Sequence, residues 1–263
     1  MKIAMYQVDA FTNKLFGGNP AAVCMPEQPL TEDLMQRIAA ENNQAETAFV
    51  AADGDGFHIR WFTPAVEVVL CGHATLAAAH IIFTVLHYQE REIVFHSRFS
   101  GELKVTRDGD KLTLDFPLDA GKKIPTPAVL VKALGVQPME TWKGKTDFMA
   151  VLPSEKNVLD LRPDMELLRS LDCRGVIVTA AGEGEVDFVS RFFAPQSGIN
   201  EDPVTGSAHT LLAPYWAAEL RRNPLTAVQL SSRRGHLWCT VRGDRVAISG
   251  YAVTYLKGTI EVS

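Results

Sequence analysis

"VFHSRFSGELKVTRDGDKLTLDF", residues 94–116, lies without a gap over "VQLSSRRGHLWCTVRGDRVAISG", residues 228–250. Val94/Val228, Ser97/Ser231, Gly101/Gly235, Leu103/Leu237, Thr106/Thr240, Gly109/Gly243 and Asp110/Asp244 are identical at a constant spacing of 134 residues. Each copy alternates apolar and polar residues around a Gly-Asp turn, the pattern of a β-hairpin. A supersecondary unit repeated at that distance implies a chain built from two halves.

The same spacing carries Gly72 onto Gly206, Ala74 onto Ala208 and Ala79 onto Ala213. A helix from about His73 to Tyr88 therefore corresponds to one from about Ser207 to Arg222, with Pro214 inside the second. Further upstream, "RWFTP" (60–64) matches "RFFAP" (191–195) at a spacing of 131, so three extra residues enter the second copy within "QSGINEDPVT" (196–205). Periodicity predicts strands at 2–9, 21–25, 47–51, 58–63, 148–152, 176–180 and 188–193, and helices at 32–42 (capped by Thr31), 127–134 and 165–171. "DAGKKIPTPA" (119–128) reads as the linker, giving domains 1–120 and 121–263, with a C-terminal strand able to cross back to the first.

Composition narrows the function class. The 263 residues, 46% hydrophobic and 22% charged, suit a globular α/β protein, and a net charge of −5 leaves no basic field for a nucleic-acid backbone. "ATLAAAHIIFTVL" (74–86), the most apolar helical stretch, is too short to span a bilayer, and the N-terminus lacks a secretory pattern. A cytoplasmic protein without membrane or nucleic-acid partners is expected. Cys24, Cys71, Cys173 and Cys239 show no C-x-x-C spacing, so free thiols are expected and no metal site.

Chemistry concentrates where the repeat places its two helix starts. "CGHATL" (71–76) and "TGSAHT" (205–210) each set glycine and a small or polar residue where free backbone N–H groups favour an anion. Gly72, Gly206 and Ser207 are thus candidate binding residues for a small carboxylate. Glu46, immediately before an apolar strand, is either a solvated strand-end glutamate or a general base and acid. Asp202 is either a helix cap or a group that orients His73 or the substrate. Cys71 suggests a two-thiol epimerisation, but its repeat counterpart is Thr205, so the second thiol is missing.

Taken together, "VDAFTNKLFGGNPAAV" (8–23), "AETAFV" (45–50), "RWFTP" with "GHATL" (72–76), and "RFFAP" with "EDPVTGSA" (201–208) resemble the PhzF family of phenazine-biosynthesis-like isomerases. The resemblance covers nearly the whole chain. It implies a mixed α/β (α+β) fold like that of diaminopimelate epimerase: two pseudo-symmetric halves, each a curved, mostly antiparallel sheet around a central helix, with the active site between them. It also implies that Glu46 shuttles a proton without a cofactor, that His73 and Asp202 position the substrate, that Asn19 lines the same cleft, and that the protein is a homodimer. Cys71 stands where such proteins usually carry alanine, and Ala74 where many carry proline. The open alternatives are an epimerase or racemase using Cys71 with another base, and a protein that binds a small ligand without turning it over.

Overall fold

The computed structural model describes residues 1–262. Contacts divide the chain into two compact units, one of residues 1–115 with the segment from Ser249 onward, the other of residues 116–248.

The first unit runs β1 (Lys2–Ala10), β2 (Asn19–Met25), α1 (Glu32–Asn42), β3 (Glu46–Asp53), β4 (Gly56–Phe62), β5 (Glu67–Val68), α2 (Gly72–Thr84), β6 (Glu92–Ser97), β7 (Gly101–Asp108) and β8 (Lys111–Pro117). Its sheet pairs β1–β2 antiparallel, β2–β3 parallel, β3–β4 antiparallel, β4–β6 parallel, and then β6–β7 and β7–β8 antiparallel. Strand residues alternate between faces. Phe49, with Ile3, Cys24 and Phe62, packs against Met35, Ile38 and Ala39 of α1. The opposite face meets α2, whose side chains are buried on nearly every side, from His73 through Phe83. A helix this largely apolar, with no continuous polar stripe, requires such a position.

The second unit contains β9 (Lys122–Ile124), α3 (Ala128–Leu134), β10 (Glu140–Lys143), β11 (Asp147–Val151), α4 (Glu155–Asp160), α5 (Met165–Arg169), β12 (Gly175–Ala181), β13 (Phe188–Ala194), β14 (Ile199–Asp202), α6 (His209–Leu220), β15 (Leu225–Gln229), β16 (Gly235–Arg242) and β17 (Arg245–Gly250). The pairings repeat: β10–β11 antiparallel, β11–β12 parallel, β12–β13 antiparallel, β13–β15 parallel, β15–β16 antiparallel. Both faces are covered, and β13 is buried along its whole length. α3, α4 and α5 supply Leu130, Leu134, Val158 and Leu168 to a core with Val176, Val178, Val189 and Phe193. A short 3-10 turn, Gly206–Ala208, precedes α6, which continues through Pro214.

Two features depart from the pattern read in the sequence. The segment taken as a linker carries β9, which pairs with β10; the final strand, β18 (Ala252–Glu261), pairs with β1 along its length, the crossing back to the first half that the sequence allowed. Each sheet thus receives its outer strand from the chain segment that follows the other half of the repeat. The gapless match across the hairpins also conceals two opposite shifts. Ile59 pairs with Ser97, and its counterpart Ser190 pairs with Gln229, so these strands correspond at a spacing of 132. A three-residue turn (98–100) in the first hairpin against five residues (230–234) in the second restores 134.

Candidate active site

Glu46 opens β3 and Cys71 is the residue before α2, so a strand start and a helix start bring their side chains together in the first unit. His73 Nε2 lies 3.2 Å from Glu46 Oε2, and both side chains are largely buried. On the other side of the ring, Nδ1 lies 3.5 Å from Cys71 Sγ and 3.3 Å from Asn19 Nδ2. Asn19, the first residue of β2, is fully buried. Four residues singled out in the sequence thereby form one cluster: Asn19, Glu46, Cys71 and His73.

Its electrostatics follow from opposed effects. Burial raises the Glu46 carboxyl, but the charge of His73 and the close approach of the His73 ring and the Cys71 thiol overcome this and leave it below the ordinary carboxylate range. Burial lowers the His73 imidazole, but the charges of Cys71 and Glu46 and the contacts with them hold it well above its ordinary value. Cys71 is raised, first by burial and then by the Glu46 charge. The two directions favour an ion pair between the Glu46 carboxylate and the His73 ring. Such a set holds a base and an acid side by side. The Glu46, Cys71 and His73 ligand atoms all lie within 4.8 Å of one another, so these residues could also hold a metal ion, at the cost of displacing the thiol and imidazolium protons.

In the second unit, β14 ends at Asp202 and the chain turns into Gly206 and Ser207. Thr205 Oγ1 donates to Asp202 Oδ2, with O···O 2.5 Å. The loop is locked by Gln229, which is fully buried. Its Oε1 accepts from the Thr205 N–H at 2.8 Å, and its Nε2 donates to the Asp202 carbonyl at 2.8 Å and to Thr205 Oγ1 at 3.3 Å. Asp202 is thus not the cap of α6; its carboxylate is oriented by Thr205. His209, buried in the first turn of α6, donates from Nδ1 to the Thr205 carbonyl at 2.9 Å, and burial lowers its pKa to about 4. Ser207 Oγ accepts from Arg174 Nη1 at 3.0 Å, and Arg174 forms a two-pronged ion pair with buried Asp147, Nε to Oδ1 at 2.9 Å and Nη2 to Oδ2 at 2.5 Å.

Arg174, Asp147 and Gln229 escaped the sequence reading. The signal lies in strand pairing. Thr47 pairs with Phe62 and Val176 with Phe193, and Phe62 and Phe193 correspond in the repeated Arg-aromatic-Phe motif. Glu46 therefore corresponds to Gly175, and Arg174 stands one residue before the equivalent of the predicted base. Without these registers "QAETAFV" and "CRGVIVT" share too little to be aligned. Two surface cavities of the first unit, one of about 490 Å³ at residues 54–57, Tyr88 and Glu90, the other of about 400 Å³ around His80, Arg107 and Tyr251, include none of the predicted site residues.

Among the described residues, no helix is long and apolar enough to cross a membrane. The family model for phenazine biosynthesis-like proteins, PhzC-PhzF, matches residues 8–258. Two proteins of Pseudomonas aeruginosa, each named an uncharacterized isomerase, are 49% and 48% identical to the chain, with full coverage on both sides. A solved structure of a phenazine biosynthesis protein of the PhzF family from Enterococcus faecalis is 45% identical and superposes over all of both chains with a TM-score of 0.97. A hydroxyproline epimerase from Agrobacterium vitis, 12% identical, covers 98% of this chain and 92% of its own at a TM-score of 0.59, a likeness of fold alone. With these matches spanning the chain from end to end, it belongs to the PhzC-PhzF family of phenazine biosynthesis-like proteins and is an isomerase of mixed α/β, epimerase-like fold.

Proposed function

We propose that the protein moves a proton within a small carboxylated cyclic or amino-acid-like molecule, without a cofactor, through Glu46. The contact between His73 Nε2 and Glu46 Oε2 carries this reading. It keeps a buried carboxylate ionised, ready to take a proton from carbon, and sets an imidazolium where developing negative charge needs a donor. Glu46 then returns the proton at the new position, so no proton is gained or lost overall. Gly72, Gly206 and Ser207 bind the substrate carboxylate, Asn19 fixes the His73 ring, and Asp202 orients the substrate. The acting form is a homodimer in the cytoplasm.

Cys71 supports a second reading, an epimerase in which the thiol serves as the other acid, because its Sγ is 3.5 Å from the same imidazole. Incubation in deuterated water with a pool of small cyclic and amino carboxylic acids, read by mass gain and by chiral separation, tests both. Label uptake that is lost in a folded Glu46→Gln variant supports the first reading; uptake unchanged in that variant overturns it. Inversion of a stereocentre that vanishes in Cys71→Ala selects the second. Ligand binding with no label uptake would leave a binding protein.

A further inference from the structure

We propose that Arg174, with Ser207, forms a site in the second unit that grips a carboxylate group of a small ligand. The inference deepens the reading above and rests on it for the identity of the reaction.

The duplicated architecture supplies the first argument. In the first unit a residue at the start of β3, Glu46, reaches the second residue of α2, His73. The spacing of 134 maps His73 onto Ser207, and Arg174, next to the counterpart of Glu46, reaches Ser207. The same strand-start to helix-start contact has been kept with its charge inverted. Gly175 shows how the carboxylate position was closed: a Cβ there would lie 2.4 Å from the Phe192 ring. The Arg174 guanidinium carbon sits 5.3 Å from the centroid of that ring.

The Arg174 side chain also has donors to spare. A guanidinium has five N–H groups. Nε and one N–H of Nη2 go to Asp147, and one N–H of Nη1 goes to Ser207. One N–H remains on each Nη nitrogen to donate to a ligand oxygen. Exposure agrees, since the Arg174 side chain is 39% accessible while its partner Asp147 is 7%. Asp147 fixes the plane of the fork, and because Ser207 Oγ accepts from Arg174, its own hydroxyl hydrogen stays available as a third donor. Asp202, whose charge also acts on Arg174, favours an additional cationic or hydrogen-donating group on the ligand, as in an amino acid.

The test titrates the full-length protein with malonate, and with ethylammonium as control, at constant ionic strength. It follows the Arg174 Nε–Hε NMR signal, assigned by its loss in Arg174→Lys, together with Tm. Saturable movement of that signal and a rise in Tm with malonate, neither seen with ethylammonium, are expected. The double variant Arg174→Gln/Asp147→Asn removes both charges without stranding a buried carboxylate and should weaken malonate at least tenfold. Glu46→Gln should bind malonate as the wild type does. A wild-type signal that malonate does not move, or a folded double variant with undiminished malonate affinity, overturns the proposal; if the double variant fails to fold, the wild-type titration decides. Label uptake that survives Glu46→Gln would instead count against the proton-transfer reading, so the two failures are separable.

Discussion

The two units use the same β-strand order and opposite chemistry at the same place in it. Where the first sets Glu46 against His73, the second sets Arg174 against Ser207; where the first has Cys71, the second has Thr205 bonded to Asp202. A duplicated frame fixes positions, and substitution then divides the labour between proton transfer and ligand holding. The three residues inserted before Gly206 matter for the same reason. They precede Asp202 in β14, a longer strand than its counterpart β5, and Gln229 ties that loop down with three hydrogen bonds.

The largest effect that would sharpen this contrast is on turnover. Glu46→Gln should lower solvent-deuterium uptake about a hundred- to ten-thousand-fold with the circular dichroism spectrum retained, the span expected for one acid–base group. His73→Gln should cost less rate and reshape the pH profile. Without the imidazolium, burial of Glu46 is opposed only by Cys71 and its pKa rises, so the acid limb of the rate should move to higher pH. In the wild type the depressed carboxyl contributes stability above its ordinary value of about 4.5, which is lost as pH falls through the folded value. The raised imidazole contributes fully below its ordinary 6.5 and loses this as pH rises through its folded value. Both contributions are complete only between about pH 4.5 and 6.5, so thermal unfolding of His73→Gln should lose less stability than the wild type as pH rises above 6.5.

Restoring a side chain at the lost carboxylate position tests the other half. Gly175→Ala drives a Cβ into the Phe192 ring and should destabilise by roughly 1–3 kcal/mol, the usual cost of overpacking, read as a lower urea midpoint. Ala45→Gly, beside the corresponding site of the first unit, closes no such space. The smallest effect expected is at His209. Its imidazole stays neutral in the fold down to about pH 4, whereas the unfolded chain takes up the proton near 6.5. Stability should therefore decline as pH falls across that window, and His209→Asn, which keeps a donor toward the Thr205 carbonyl, should remove that decline in urea titrations at stepped pH.

How much of this was legible follows from the range of the signals. The hairpins, the two repeat helices and the strand that follows Glu46 were visible because identical residues recur at fixed spacing and apolar periods are local. Glu46, His73 and Cys71 stood out because each flanks such an element. Arg174 and Asp147 lie 27 residues apart and meet through the parallel pairing of β11 with β12, which no short pattern encodes. Gln229 was hidden by the gapless repeat, which set it opposite Phe95, although strand pairing sets it opposite Ser97. β9 is three residues long in a lysine- and proline-rich stretch, too brief to show alternation.

The exchanged outer strands also govern the order in which the molecule can be completed. Lys2 pairs with Glu261, so β1 waits for β18, which follows the whole of the second unit in the chain, before it has both neighbours. The second unit already holds β9 when β10 is made, because β9 precedes it in the chain. During synthesis the unit bearing Glu46 is therefore the later to close, and a ribosome-bound chain stopped before residue 252 would present β1 as a bare edge, open to pairing with another chain.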